Sequence, residues 1–74
     1  MLLGNLVKFK VPSVAKFCNQ FGTSDFIIEE PLFGVVVGWE KHPYFDNNLL
    51  EVFAAGEILF SVDPDDVTVV RETK

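Results

Sequence analysis

A chain of 74 residues with net charge −5 and only six Lys and Arg is one domain at most, and it has few cations for a nucleic-acid surface. Hydrophobic residues make up 49% of it and eight are Phe, which excludes a disordered segment. No apolar run reaches the roughly 18 residues that a membrane span needs.

Cys18 is the single cysteine, so no intramolecular disulfide can form and a reducing, intracellular setting is expected. The opening MLLGNLVKFK lacks the basic start and long apolar core of a secretion signal. Scaling from 8.3 kDa gives about 12,000 Å² of surface unfolded and about 4,600 Å² folded, a marginal burial for an unstapled domain. So small a globule cannot hide every large side chain, which leaves apolar surface for a partner or for copies of itself.

In chain order, residues 3–10 read as a first strand with Val7 and Phe9 facing the core and Lys8 and Lys10 outside. Val11-Pro12 ends it, because proline donates nothing to a ladder. Residues 13–22 carry a helical signal: Val14, Phe17, Cys18 and Phe21 form one stripe, with Ser13 as N-cap and Gly22 just past the end. That spacing predicts a short helix capping a barrel end, with Cys18 in the core. Residues 25–30 read as a short strand or an extended entry, broken at Pro31.

The strongest strand is 32–39, with Phe33, Val35, Val37 and Trp39 on one face and Leu32, Gly34, Val36 and Gly38 on the other. Residues 40–48 form a loop by turn chemistry, through Pro43, Asp46, Asn47 and Asn48. Leu49 to Ala54 is the next strand and Ala55-Gly56 a tight hairpin turn. In residues 57–62, Ile58, Phe60 and Val62 are expected inward and Leu59 outward. Asp63 to Asp66 fits one helical turn capped by Asp63, and 67–70 is the last strand.

Strand, insertion with a short helix, three-strand meander, one-turn helix and closing strand is the order of an SH3-like barrel. The expectation is therefore a single all-β domain over residues 1–74: a small SH3-like barrel of about five strands with a short helix inserted after the first strand.

GNLVKFK at 4–10, GVVVGW at 34–39 and LEVFAAGEILFSVDPDDVTVV at 50–70 resemble small SH3-like barrel proteins encoded by tailed bacteriophages. Asn5 stands where that pattern has Asp, and Val11 to Pro31 is an insertion that the pattern lacks. The resemblance implies a fold and a viral source, hence the cytoplasm of a bacterial host. It implies no reaction.

No catalytic set is legible. His42 and Cys18 lie on separate insertions and are read as an exposed loop residue and a small core residue. Two such ligands cannot close a zinc site. Asp63, Asp65 and Asp66 are the densest acids, but they lack the glycine and distal Glu of a calcium loop, so they are read as a capped turn. No catalytic residue, metal site, cofactor or small-molecule substrate is assigned.

Trp39, Tyr44 and Phe45 flank the 40–48 loop and, with Phe33, could build a recognition groove, or Trp39 and Phe33 could be core. Only Lys41 is near them, opposed by Glu40 and Asp46, which argues against nucleic acid. An outward Leu32, Val36 and Leu59 would make an assembly patch. The expected function is a non-enzymatic protein-interaction or structural module that self-associates. Its candidate binding residues are Trp39, Tyr44, Phe45 and Val36. The alternative is an Sm-like nucleic-acid-binding ring, which the net charge opposes. A third reading is a regulator that binds metal or a small ligand through the acids at 63–66.

Overall fold

The computed structural model describes residues 3–41 and 48–71. They form strands β1 (Leu6–Phe9), β2 (Ser13–Asn19), β3 (Gly22–Ile28), β4 (Phe33–Lys41), β5 (Asn48–Ala54), β6 (Glu57–Val62) and β7 (Val67–Arg71), with a 3-10 turn at Pro64–Asp66. All pair antiparallel in one sheet of order β3-β2-β6-β5-β4-β1-β7. The all-β expectation holds. Among the described residues β3 and β7 are the edges, and the sheet does not close on itself. No described helix is long and apolar enough to cross a membrane.

One face of every strand feeds a single core. Val7 and Phe9 of β1, Ala15 of β2, Ile28 of β3, Val36 of β4, Leu50, Val52 and Ala54 of β5, Leu59 and Val62 of β6 and Val67 of β7 form one buried cluster. Phe17 and Phe26 close it at the hairpin end, their rings edge-to-face with centroids 5.8 Å apart. Lys8 and Lys10 point outward as the alternation predicts.

The helix expected over 13–22 is instead the start of a β-hairpin. β2 and β3 pair from Ser13↔Ile28 to Asn19↔Gly22. Asn19 Oδ1 accepts a hydrogen bond from Phe21 N at 2.8 Å, and Gly22 takes φ +111°. Asx-turn chemistry thus replaces the helix cap. Ser13 is a buried strand residue rather than a cap, and Cys18 is exposed rather than core. Lys16 and Asp25 face each other across the hairpin and pair at 2.8 Å. The hairpin joins the rest of the sheet through the pair Lys16↔Phe60.

Bulges shift the strand phase twice in the meander. In β6, Leu50↔Val62 and Val52↔Leu59 leave one extra residue between Leu59 and Val62, and Ser61 there has φ +55°. Strict alternation back from Val62 places Ile58 inside. The bulge reverses it, so Leu59 is buried and Ile58 is exposed. In β4 the register slips between Val36 and Gly38, so Trp39 pairs with the buried Leu50. Trp39 therefore leaves the face that carries Phe33 and Val35.

Ala55 and Gly56 join β5 to β6 with φ of +52° and +75°, the two left-handed residues of a type I′ turn. Asp63 caps the 3-10 turn, its Oδ1 accepting from Asp65 N at 2.9 Å.

Candidate interaction face

The outer face of the sheet carries an unbroken apolar row. Ladder register sets Leu6 beside Val35, Val35 beside Phe53, and Phe53 beside Ile58, across β1, β4, β5 and β6. Residues directly opposite in antiparallel strands point the same way, with β-carbons roughly 4.5–5.5 Å apart. Phe33 and Val37 extend the row along β4 on either side of Val35. Phe33, Val35, Val37, Phe53 and Ile58 are 37–51% exposed. Together they present roughly 400 Å² of apolar surface, taking an aromatic as about 150–250 Å² in full, which is within the range of the largest patch on an ordinary monomer.

Local sequence explains why the bulky residues of β4 are outside. Gly34 and Val36 alternate with them and are buried. A β-carbon on Gly34 would meet Val52, the Phe53 carbonyl and Ala54 of β5, so that inner position has room only for glycine.

The rim is charged and asymmetric. Lys8 pairs in register with Phe33, and its Nζ sits 5.8 Å from the ring centroid, within cation–π range. Arg71 stands opposite Leu6. Beyond Val37, Glu51 pairs with Gly38, and its carboxylate lies in the space that a β-carbon on Gly38 would take. The row is thus basic past Phe33 and acidic past Val37. An open groove bounded by Lys8, Lys10, Pro31 and Thr68 adjoins the basic end.

The structure separates the residues singled out from sequence. Phe33 lies on the face. Trp39, 45% exposed, falls in the inner register at the far end of β4. The two therefore do not form one groove, and neither is core. Tyr44, Phe45 and His42 lie outside the described residues. Val36 and Leu59, expected outward as an assembly patch, are 1% and 0% exposed. They are core because the bulky side of β4 is outside and the β6 bulge turns Leu59 in. Among the described residues no three His, Cys, Asp or Glu side chains are grouped to hold a metal.

Phe53 and Ile58 are the residues that sequence reasoning missed. A two-residue turn at Ala55-Gly56 sets Ala54 against Glu57, and therefore Phe53 against Ile58. That pairing was readable from the turn alone.

No family model matches the chain, and no curated protein or solved structure shows significant similarity to it.

Proposed function

We propose that this chain is a non-enzymatic protein-interaction module with an SH3-like arrangement of strands, working through the outer face of β1, β4, β5 and β6. The observation that carries the reading is the row Leu6–Val35–Phe53–Ile58, contiguous in register and half exposed at three of its four positions. Water-exposed aliphatic and aromatic side chains in a continuous row gain by being covered, and a protein surface of matching shape covers them best.

The strand order β7-β1-β4-β5-β6, with a 3-10 turn between β6 and β7, supports the SH3-like part of the reading. The β2–β3 hairpin then occupies the long connection after the first strand.

The test is Phe53→Glu, checked for a native far-UV spectrum and melting curve, against the parent chain. Association is read as mass by light scattering after size exclusion and as proteins retained from a cell lysate. The reading expects at least one association to be present in the parent and lost in the variant. Identical behaviour of the two chains in both assays overturns it.

A further inference from the structure

We infer that the occupant of the outer face is a second copy of this chain, docked face to face about a two-fold axis lying in the interface near Val35. The inference rests on the interaction reading above and names its partner.

The charges around the row are complementary to those of a second copy. Lys8 flanks the apolar row beyond Phe33 on the β1 side, and Glu51 flanks it beyond Val37 on the β5 side. The two lie diagonally across Val35 and Val37. An isologous interface sets residue i of one copy against j of the other and j against i. A two-fold axis in the interface that crosses the Lys8–Glu51 diagonal at right angles, through its middle, places each copy's Lys8 against the other's Glu51, twice over. The same operation leaves Val35 near the axis, against its own copy, and lays the two apolar patches over one another with their rows crossed. A face with one sign of charge at both ends would repel its own copy; this one does not.

Roughly 400 Å² of apolar surface, enlarged by a rim of Lys8, Glu51, Arg71 and Leu6, approaches the roughly 800 Å² per partner of a standard interface. The core of such a patch is apolar and its rim polar, as here. An interface at the small end of the range is weak, so the monomer and dimer exchange at concentrations of about 10 µM to 1 mM. The net charge of −5 adds repulsion between copies, which further favours reversible over permanent pairing.

A surface for single-stranded nucleic acid alternates aromatics with unopposed cations. Here Val35, Val37 and Ile58 lie among the two aromatics, Lys16 is already paired with Asp25, and Glu51 sits on the rim. Aliphatic neighbours suit a protein face.

The experiment is sedimentation equilibrium of the full chain from about 10 µM to about 1 mM, for the parent, Val35→Glu, Lys8→Glu, and Lys8→Glu combined with Glu51→Lys. Val35 and Lys8 are outward, so each variant is expected to fold, verified by circular dichroism. The expected result is a reversible dimer for the parent and a monomer throughout for Val35→Glu. Lys8→Glu should weaken the dimer at least about tenfold, and the combined charge exchange should recover most of that loss. Recovery is the decisive arm, because it does not depend on how well Val35→Glu folds.

A dimer indifferent to Val35→Glu, or no recovery on charge exchange, overturns the arrangement. A monomeric parent that retains another protein in a Val35-dependent way overturns the second copy and leaves the interaction reading standing. A monomeric parent that instead binds a labelled single-stranded oligonucleotide at low salt, dependent on Phe53, overturns both.

Discussion

A β-carbon on Gly34 would stand 2.5 Å from Val52 Cγ1, and 2.8 Å from the carbonyl oxygen of Phe53. Carbon atoms pack at about 3.5–4.0 Å, so the two positions cannot both carry side chains without movement. The inner side of β4 at Gly34 has no room for a side chain, and Phe33 and Val35 on either side of it lie on the outer face.

Gly34→Ala is therefore expected to destabilise the fold by about 1–3 kcal/mol, the usual cost of overpacking. The obstructing atoms include backbone, which cannot rotate aside as a flexible side chain would. Chemical denaturation reads the change as a lower midpoint at unchanged slope. A variant as stable as the parent would show that β4 and β5 can separate locally at no cost.

Ala55 supplies a contrasting case, in which the native residue is the strained one. It holds φ +52° in the hairpin turn, where an L-residue other than Asn or Asp is disfavoured. Ala55→Asn creates the Asn-Gly pair favoured for this turn type. The expected gain is about 0.5–1 kcal/mol, or a rise of roughly 2–8 °C in Tm for a chain of this size. Calorimetry that gave a lower Tm would mean that the turn is not held in this conformation in solution.

Ser13 buries its hydroxyl with no hydrogen-bond partner among the described residues. It pairs with Ile28 on the inner face of the hairpin, in apolar surroundings. An unsatisfied buried polar group costs about 1–3 kcal/mol, and a substitution that removes the group without changing shape recovers part of that. Ser13→Ala is expected to stabilise by about 1 kcal/mol in thermal unfolding. A loss of stability instead would indicate that the hydroxyl is bonded in solution.

The same hairpin shows where the sequence was opaque. Val14, Phe17, Cys18 and Phe21 repeat at helical spacing, and that stripe is stronger than the competing alternation. The inner side of β2 is Ser13, Ala15 and Phe17, two of them too small to register as apolar. Its outer side carries Val14, which pairs with Ile27 in the open. Packing against β6 and against β3 overrides local periodicity there. By contrast β1, β5, the Ala55-Gly56 turn and the Asp63 cap were legible, because each depends on local chemistry. The candidate face was only half legible. The two faces of β4 could be listed from alternation, but not which of them is buried. The bulges at Val36/Gly38 and at Ser61 also changed the phase beyond them without any signal in composition.

Val35 and Val36 put that ambiguity to a direct test, because neighbours on one strand should behave oppositely. Val36 is 1% exposed amid Val7, Val52 and Leu59. A carboxylate there has no partner and no water, so Val36→Glu is expected to lose several kcal/mol and to abolish cooperative folding in a domain of marginal stability. Val35 is 37% exposed, so Val35→Glu keeps its charge in water and should cost less than about 1 kcal/mol. Far-UV circular dichroism and urea unfolding of the two variants separate the outcomes. A folded Val36→Glu beside an unfolded Val35→Glu would invert the faces of β4, and with them the interaction surface assigned to Phe33, Val35, Phe53 and Ile58. The expected order, with Val35→Glu folded and altered only in association, ties the surface to function rather than to stability.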